Sequence, residues 1–152
     1  MPVLTKTVQM VNDSEAIVKI SGSDLVASVI NISTDILAAN QIVYPVGTGV
    51  PIVNIIGFQW CGAPGAVYKI DRGGARVATL LADNGNFMDF VELFPSENTN
   101  NTSNISVVIS NAAGDTAIQG ELWIRLRKVS GYASKIEAAV YGTYDDLTQV
   151  GS

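Results

Sequence analysis

Apolar and polar residues alternate along most of this chain with a period of two, the signature of strands with one buried face. Ala16-Ile17-Val18-Lys19-Ile20 alternates and stops at Ser21-Gly22, and Leu25 to Ile32 is rich in β-branched residues. In Ile52-Val53-Asn54-Ile55-Ile56-Gly57-Phe58-Gln59-Trp60, alternation sets Ile52, Ile56, Phe58 and Trp60 on one face, and Asn54 interrupts that face. Pro45, Pro51 and the glycines between them mark a loop before this strand.

Turn chemistry sharpens the middle of the chain. Arg72-Gly73-Gly74-Ala75 predicts a two-residue hairpin, because both central positions of such a turn need positive φ. This register sets Asp71 opposite Arg76, Ile70 opposite Val77 and Tyr68 opposite Thr79. Asn84-Gly85 predicts a second turn that sets Leu81 opposite Met88 and Thr79 opposite Phe90. Both registers bring Tyr68, Ile70, Val77, Leu81, Met88 and Phe90 to one face, so a three-stranded meander is expected over 66–92. Ser96 to Ser103 reads as a polar loop. The glycosylation triplets at Asn100, Asn101 and Asn104 are read there as loop chemistry rather than glycan sites.

Beyond the loop, Ile105, Val107 and Ile109 alternate, and Thr116 to Lys128 reads as a long strand. Its face of Ile118, Leu122, Ile124 and Leu126 is apolar, and Trp123, Arg125 and Arg127 lie on the other. A four-residue loop, Ala112-Ala113-Gly114-Asp115, would let Ile105, Val107 and Ile109 meet Leu122, Gly120 and Ile118. After Lys128 two readings stay open for 134–141. Ser134-Lys135-Ile136-Glu137 fits a helical capping box, and an extended edge segment is the alternative. With no repeat and no linker, residues 1–152 are expected to form a single antiparallel β-sandwich with at most one short helix near the C-terminus. A short N-terminal arm (1–12) and a polar C-terminal tail (142–152) flank it.

Composition narrows the function. Apolar residues make up 47% of the chain and charged ones 15%, against about a quarter in a typical soluble domain. Low charge suggests that part of the surface meets protein. The formal net charge is −5, and the excess acid lies in residues 77–152, so binding to a nucleic-acid backbone is disfavoured. The start of the chain lacks the apolar core of a signal peptide, and no apolar run is long enough to cross a bilayer. Synthesis in the cytosol is therefore expected, unless something else exports the chain.

The chain contains no histidine, which removes Ser-His-Asp and Cys-His catalysis and histidine-bound zinc. Cys61 is the single cysteine and is expected to be a small buried hydrophobe. Carboxylate chemistry would need two acids about 5–10 Å apart in a cleft. Asp71, Asp89, Glu92 and Glu121 are the candidates on strands, but Asp71 is explained by Arg76 across its hairpin. Asp83-Asn84-Gly85-Asn86 with Asp89 departs from a calcium loop in the place of its glycine and in lacking the bidentate glutamate. No catalytic residue, metal or cofactor is assigned, and the protein is not expected to be an enzyme. The residues singled out are Trp123, Arg125, Arg127 and Lys128, because Trp and Arg are enriched where surfaces associate; for Trp123 a second buried layer, or cover from the N-terminal or C-terminal segment, is the alternative. A solvated strand face is the plainer account of the basic cluster.

The order of segments also carries a likeness. Ala16-Ile17-Val18-Lys19-Ile20, then Gly57-Phe58-Gln59-Trp60-Cys61 and Val67-Tyr68-Lys69-Ile70-Asp71-Arg72, and finally Gly120 through Gly131 give a layout that resembles small virion structural proteins of tailed bacteriophages. That resemblance implies a jelly-roll-like sandwich that decorates or cements a capsid. Its partners would be other virion proteins, the major capsid protein first, and further copies of itself, with no nucleic acid and no membrane. A tail or neck component is the alternative within that class. Outside it stands a carbohydrate- or host-recognition module using Trp60, Tyr68, Trp123 or Tyr132 as stacking platforms.

Overall fold

The computed structural model describes residues 4–83 and 100–134, together with the backbone of 87–89. The described chain is all-β. Its strands are β1 (Leu4–Val11), β2 (Glu15–Gly22), β3 (Asp24–Ile30), β4 (Gln41–Val43), β5 (Ile52–Gly62), β6 (Val67–Arg72), β7 (Ala75–Leu81), β8 (Phe87–Asp89), β9 (Ile105–Ser110), β10 (Gly120–Ser130) and β11 (Tyr132–Ser134). They form one sheet in the order β1-β2-β10-β5-β8, a second in the order β3-β9-β6-β7, and a small β11-β4 ribbon. Among the described residues no helix is long and apolar enough to cross a membrane.

The pairings reveal the winding. β2 pairs with β10, β3 with β9, β5 with β8 and β6 with β7, all antiparallel. Set aside β1, β4 and β11, and the first remaining strand meets the last, the second the next to last, and so inward. This is a long hairpin folded over on itself, the jelly-roll topology. β1 adds one strand outside it, so the expected N-terminal arm is in fact paired to β2 from Leu4 to Val11.

One core fills the space between the two sheets. Ala16, Val18 and Ile20 of β2, Leu122, Ile124 and Leu126 of β10, and Phe58 and Trp60 of β5 meet Tyr68, Ile70, Ile105, Val107 and Ile109 from the opposite sheet. The alternation read from the sequence thus finds its apolar faces. The partners differ, however. Ser110 bridges Ala117 and Asn111 N–H donates to Thr116 O at 2.8 Å, which fits the four-residue loop and its register. There the expected hairpin ends, and β9 and β10 pass into opposite sheets. Both edges of each strand are already taken, β9 by β3 and β6 and β10 by β2 and β5, so the two cannot pair with each other. The long strand runs from Gly120 to Ser130 rather than from Thr116 to Lys128.

Bulges account for the other departures. Gly73 (φ 58°) and Gly74 (φ 81°) make the predicted turn, and Asp71 pairs with Arg76. A register shift follows, so Ile70 pairs with Ala78 and Tyr68 with Leu80; Leu80 enters the core in place of Leu81, and Val77 packs part-buried against it. β8 pairs with β5 rather than β7, so the expected meander over 66–92 is split between sheets. The Asn84-Gly85 turn lies outside the described residues. In β5 the register shifts opposite Arg125 and Leu126. Val53 and Ile55 face the core before that bulge and Phe58 and Trp60 after it, which resolves the apparent interruption at Asn54. Cys61, one residue past inward-facing Trp60, is exposed rather than buried.

Two cross-sheet devices hold the sandwich together. Gly22, Gly120 and Gly62 stand side by side on β2, β10 and β5. A Cβ on Gly120 would come within 2.9 Å of the Tyr68 ring, so only this bare row admits the phenol. Tyr68 crosses from β6 and its hydroxyl donates to the Cys61 carbonyl. At the other end Arg72 is 1% exposed. Its guanidinium donates to the carbonyls of Val53 (2.6 Å), Ser103 (2.8 Å) and Asn101 (3.0 Å), joining β5 to the segment before β9. Asn100 Nδ2 donates to Arg72 O, Asn101 Nδ2 to Asn54 Oδ1, and Asn104 Oδ1 accepts from Ile32 N–H. All three triplet asparagines therefore serve the fold through their amides.

Candidate functional site

β10 is flanked on both sides, so its outward side chains stand in the middle of a broad sheet face. Trp123 lies between Lys19 of β2 and Gln59 of β5, Arg125 between Ile17 and Gly57, and Arg127 between Glu15 and Asn54. The predicted column of Trp123, Arg125 and Arg127 is present, and Val129, 52% exposed, extends it.

The charges on this face are arranged around the indole. Lys19 Nζ lies 5.4 Å from the Trp123 ring centroid, within cation–π range, and 3.6 Å from a Glu121 carboxylate oxygen. Arg125 reaches diagonally to Glu15 at 3.1 Å. Trp123 is half-buried, with the Lys19 ammonium against its ring. Arg127 is exposed at the end of the row. Surface pairs of this kind contribute little to stability, about 0–1 kcal/mol each. Their arrangement instead offers a flat aromatic surface ringed by both signs of charge.

Lys128 does not belong to this face. It follows the inward parity of Leu122, Ile124 and Leu126 and is 8% exposed. Its ammonium donates to Asn12 O at 2.8 Å and to Gln41 Oε1, and lies 5.1 Å from the Tyr132 ring centroid. Burial pushes its pKa down to about 8, against the opposing pull of Asp13. The parity was legible in the sequence. Tyr132 is four residues on, but Asn12 and Gln41 come from two distant segments that no local pattern connects.

The remaining candidates separate. Asp71 is paired with Arg76 and Glu121 with Lys19, and the two acids lie in different sheets. The side chains of Asp89 and Glu92 lie outside the described residues, as do Asn84 to Asn86. Among the described residues no group of three or more His, Cys, Asp or Glu is placed to hold a metal. Of the aromatic platforms, Trp60 and Tyr68 are buried, and Trp60 Nε1 donates to Leu81 O at 3.0 Å. Tyr132 is half-buried with its hydroxyl donating to Ile32 O, so Trp123 is the one of the four on an outward sheet face. Comparison of the chain with family models, curated proteins and solved structures gives no match.

Proposed function

We propose that this chain is a non-enzymatic structural subunit of a bacteriophage particle, a decoration or cement protein that stabilises the shell through protein–protein contacts. The observation that carries the reading is the outward column of β10 in a jelly-roll sandwich. Jelly rolls serve in viral capsids, and also in lectins and cupins, so the topology by itself is an analogy. The column adds chemistry. Trp123 offers an indole already flanked by paired charges, Arg127 offers an exposed guanidinium, and Val129 offers exposed apolar area on the same line. Such a face suits many small repeated contacts, which closed symmetry multiplies.

Quantitative mass spectrometry of purified particles tests the proposal directly. The expected result is this protein at a fixed stoichiometry to the major capsid protein. Particles that lack it, or carry it in trace amounts, would end the reading. Cryo-electron microscopy of the same particles distinguishes capsid from neck or tail. Carbohydrate recognition is the weaker alternative, because three of its four aromatic platforms are engaged within the fold.

A further inference from the structure

Gln41 and Lys128 are 6% and 8% exposed and meet where β4, the β1–β2 turn, β10 and β11 converge. Three features of this junction go beyond an ordinary hydrogen-bonded pair. The lysine is held almost wholly out of water, and that burial favours its neutral, nucleophilic form. The carboxamide oxygen it touches is polarised a second time, because Gln41 Oε1 also accepts the Ala38 N–H at 3.0 Å. The amide nitrogen is held apart from the lysine, donating to Asp13 O at 3.1 Å.

We propose that Lys128 and Gln41 are joined by an intramolecular isopeptide bond that forms after folding. The hydrogen bond sets Nζ against Oε1, with the carbon it would attack one bond beyond that oxygen. A swing of the Lys128 side chain out of the amide plane would bring Nζ over that carbon while Oε1 stays on the Ala38 N–H. Neutral Lys128 Nζ adds to Gln41 Cδ, and the oxyanion that develops on Oε1 is met by the Ala38 N–H. The Cδ–Nε2 bond then breaks. One proton passes from Nζ to the departing nitrogen, so ammonia leaves with the two amide hydrogens and the one from lysine. In this scheme the Asp13 carboxylate, whose charge acts on Lys128, relays that proton. No oxidant, reductant or metal is required. Burial of both residues keeps water from competing.

The bond would tie β4, and through its pairing β11, to β10 across a sequence separation of 87 residues. Intact-mass analysis of the full chain, followed by peptide mapping, tests it. The expected result is a deficit of one ammonia, no tryptic cleavage after Lys128, and a branched peptide that links Lys128 to Gln41. Lys128→Arg and Gln41→Leu should each restore the full mass, and Asp13→Asn should slow the loss of ammonia several-fold. A wild-type chain that keeps its full mass after prolonged incubation at pH 9 overturns the proposal. The same deficit mapped to any other peptide, such as a succinimide at Asn84-Gly85, overturns it as well. If either variant fails to fold, the wild-type peptide map decides alone.

Discussion

Replacing Arg72 with methionine should destabilise the sandwich by about 2–4 kcal/mol, and the structure shows why the loss is neither smaller nor larger. Three carbonyls accept from the guanidinium, and a buried acceptor left unpaired costs about 1–3 kcal/mol. They do not lose equally. Asn101 O keeps the Val53 N–H at 2.9 Å, so it retains a partner. The contact with Val53 O is buried and has no water at hand, whereas the Ser103 contact is only part-buried. Removing the guanidinium also removes the cost of burying a charge, which offsets part of the loss. For a chain of this size the change corresponds to a fall in Tm of roughly 4–16 °C. Arg72→Lys should fall between, since one ammonium cannot reproduce a three-donor fork. Thermal melts measure the total, and amide exchange locates it, with faster exchange expected at Val53 and Ile32, whose N–H groups bond to Asn101 O and Asn104 Oδ1. If Arg72→Met melts within a degree of wild type, the fork contributes nothing net and the reasoning fails.

Three further outcomes are expected. Gly62→Ala and Gly120→Ala should both lower Tm, but Tyr68→Phe should rescue only the first. At Gly62 the nearest obstacle is the Tyr68 hydroxyl, while at Gly120 the ring carbons themselves stand 2.9 Å from the added Cβ. Burial pushes the Tyr68 phenol up to about 12, so the folded state holds its proton where the unfolded chain, near 10, has lost it. Stability from this group should be complete below pH 10 and fall between pH 10 and 12; a Tyr68→Phe variant with the same alkaline unfolding profile as wild type would refute it. Trp123→Ala should lower the Tm of the isolated protein by no more than a few degrees, because the ring is only half-buried; under the proposed particle role it should also sharply weaken binding to particles in a co-sedimentation assay. An unchanged affinity would remove the column from the interface.

Much of the fold was legible because alternation is a local signal. The inward residues of β2, β6, β9 and the heart of β10 follow directly from it, as does the turn at Gly73 and Gly74. Strand pairing was harder. The four-residue loop after Ser110 and Asn111 was correctly read, yet the strands beyond it belong to different sheets. An alternating strand looks the same whether its neighbour in sequence lies beside it or across the core. Bulges hid the rest, since one extra residue at Ile56 or Val77 inverts the parity of everything beyond it. For the candidate site, parity placed Trp123, Arg125 and Arg127 together, and the same parity, followed one step further, separates Lys128 from them.

The place of β10 in the sheet has a consequence for how the chain comes off the ribosome. β2 and β5 do not pair with each other; each pairs with β10, which follows both of them in sequence by dozens of residues. Until Gly120–Ser130 has been made, the larger sheet exists as two unconnected pieces with open hydrogen-bonding edges and apolar inner faces. Nascent chains that stop short of β10 are therefore the vulnerable species, prone to associate through those edges or to be captured by chaperones. Folding must wait for one late strand and then close many distant contacts together, which makes it slow but highly cooperative.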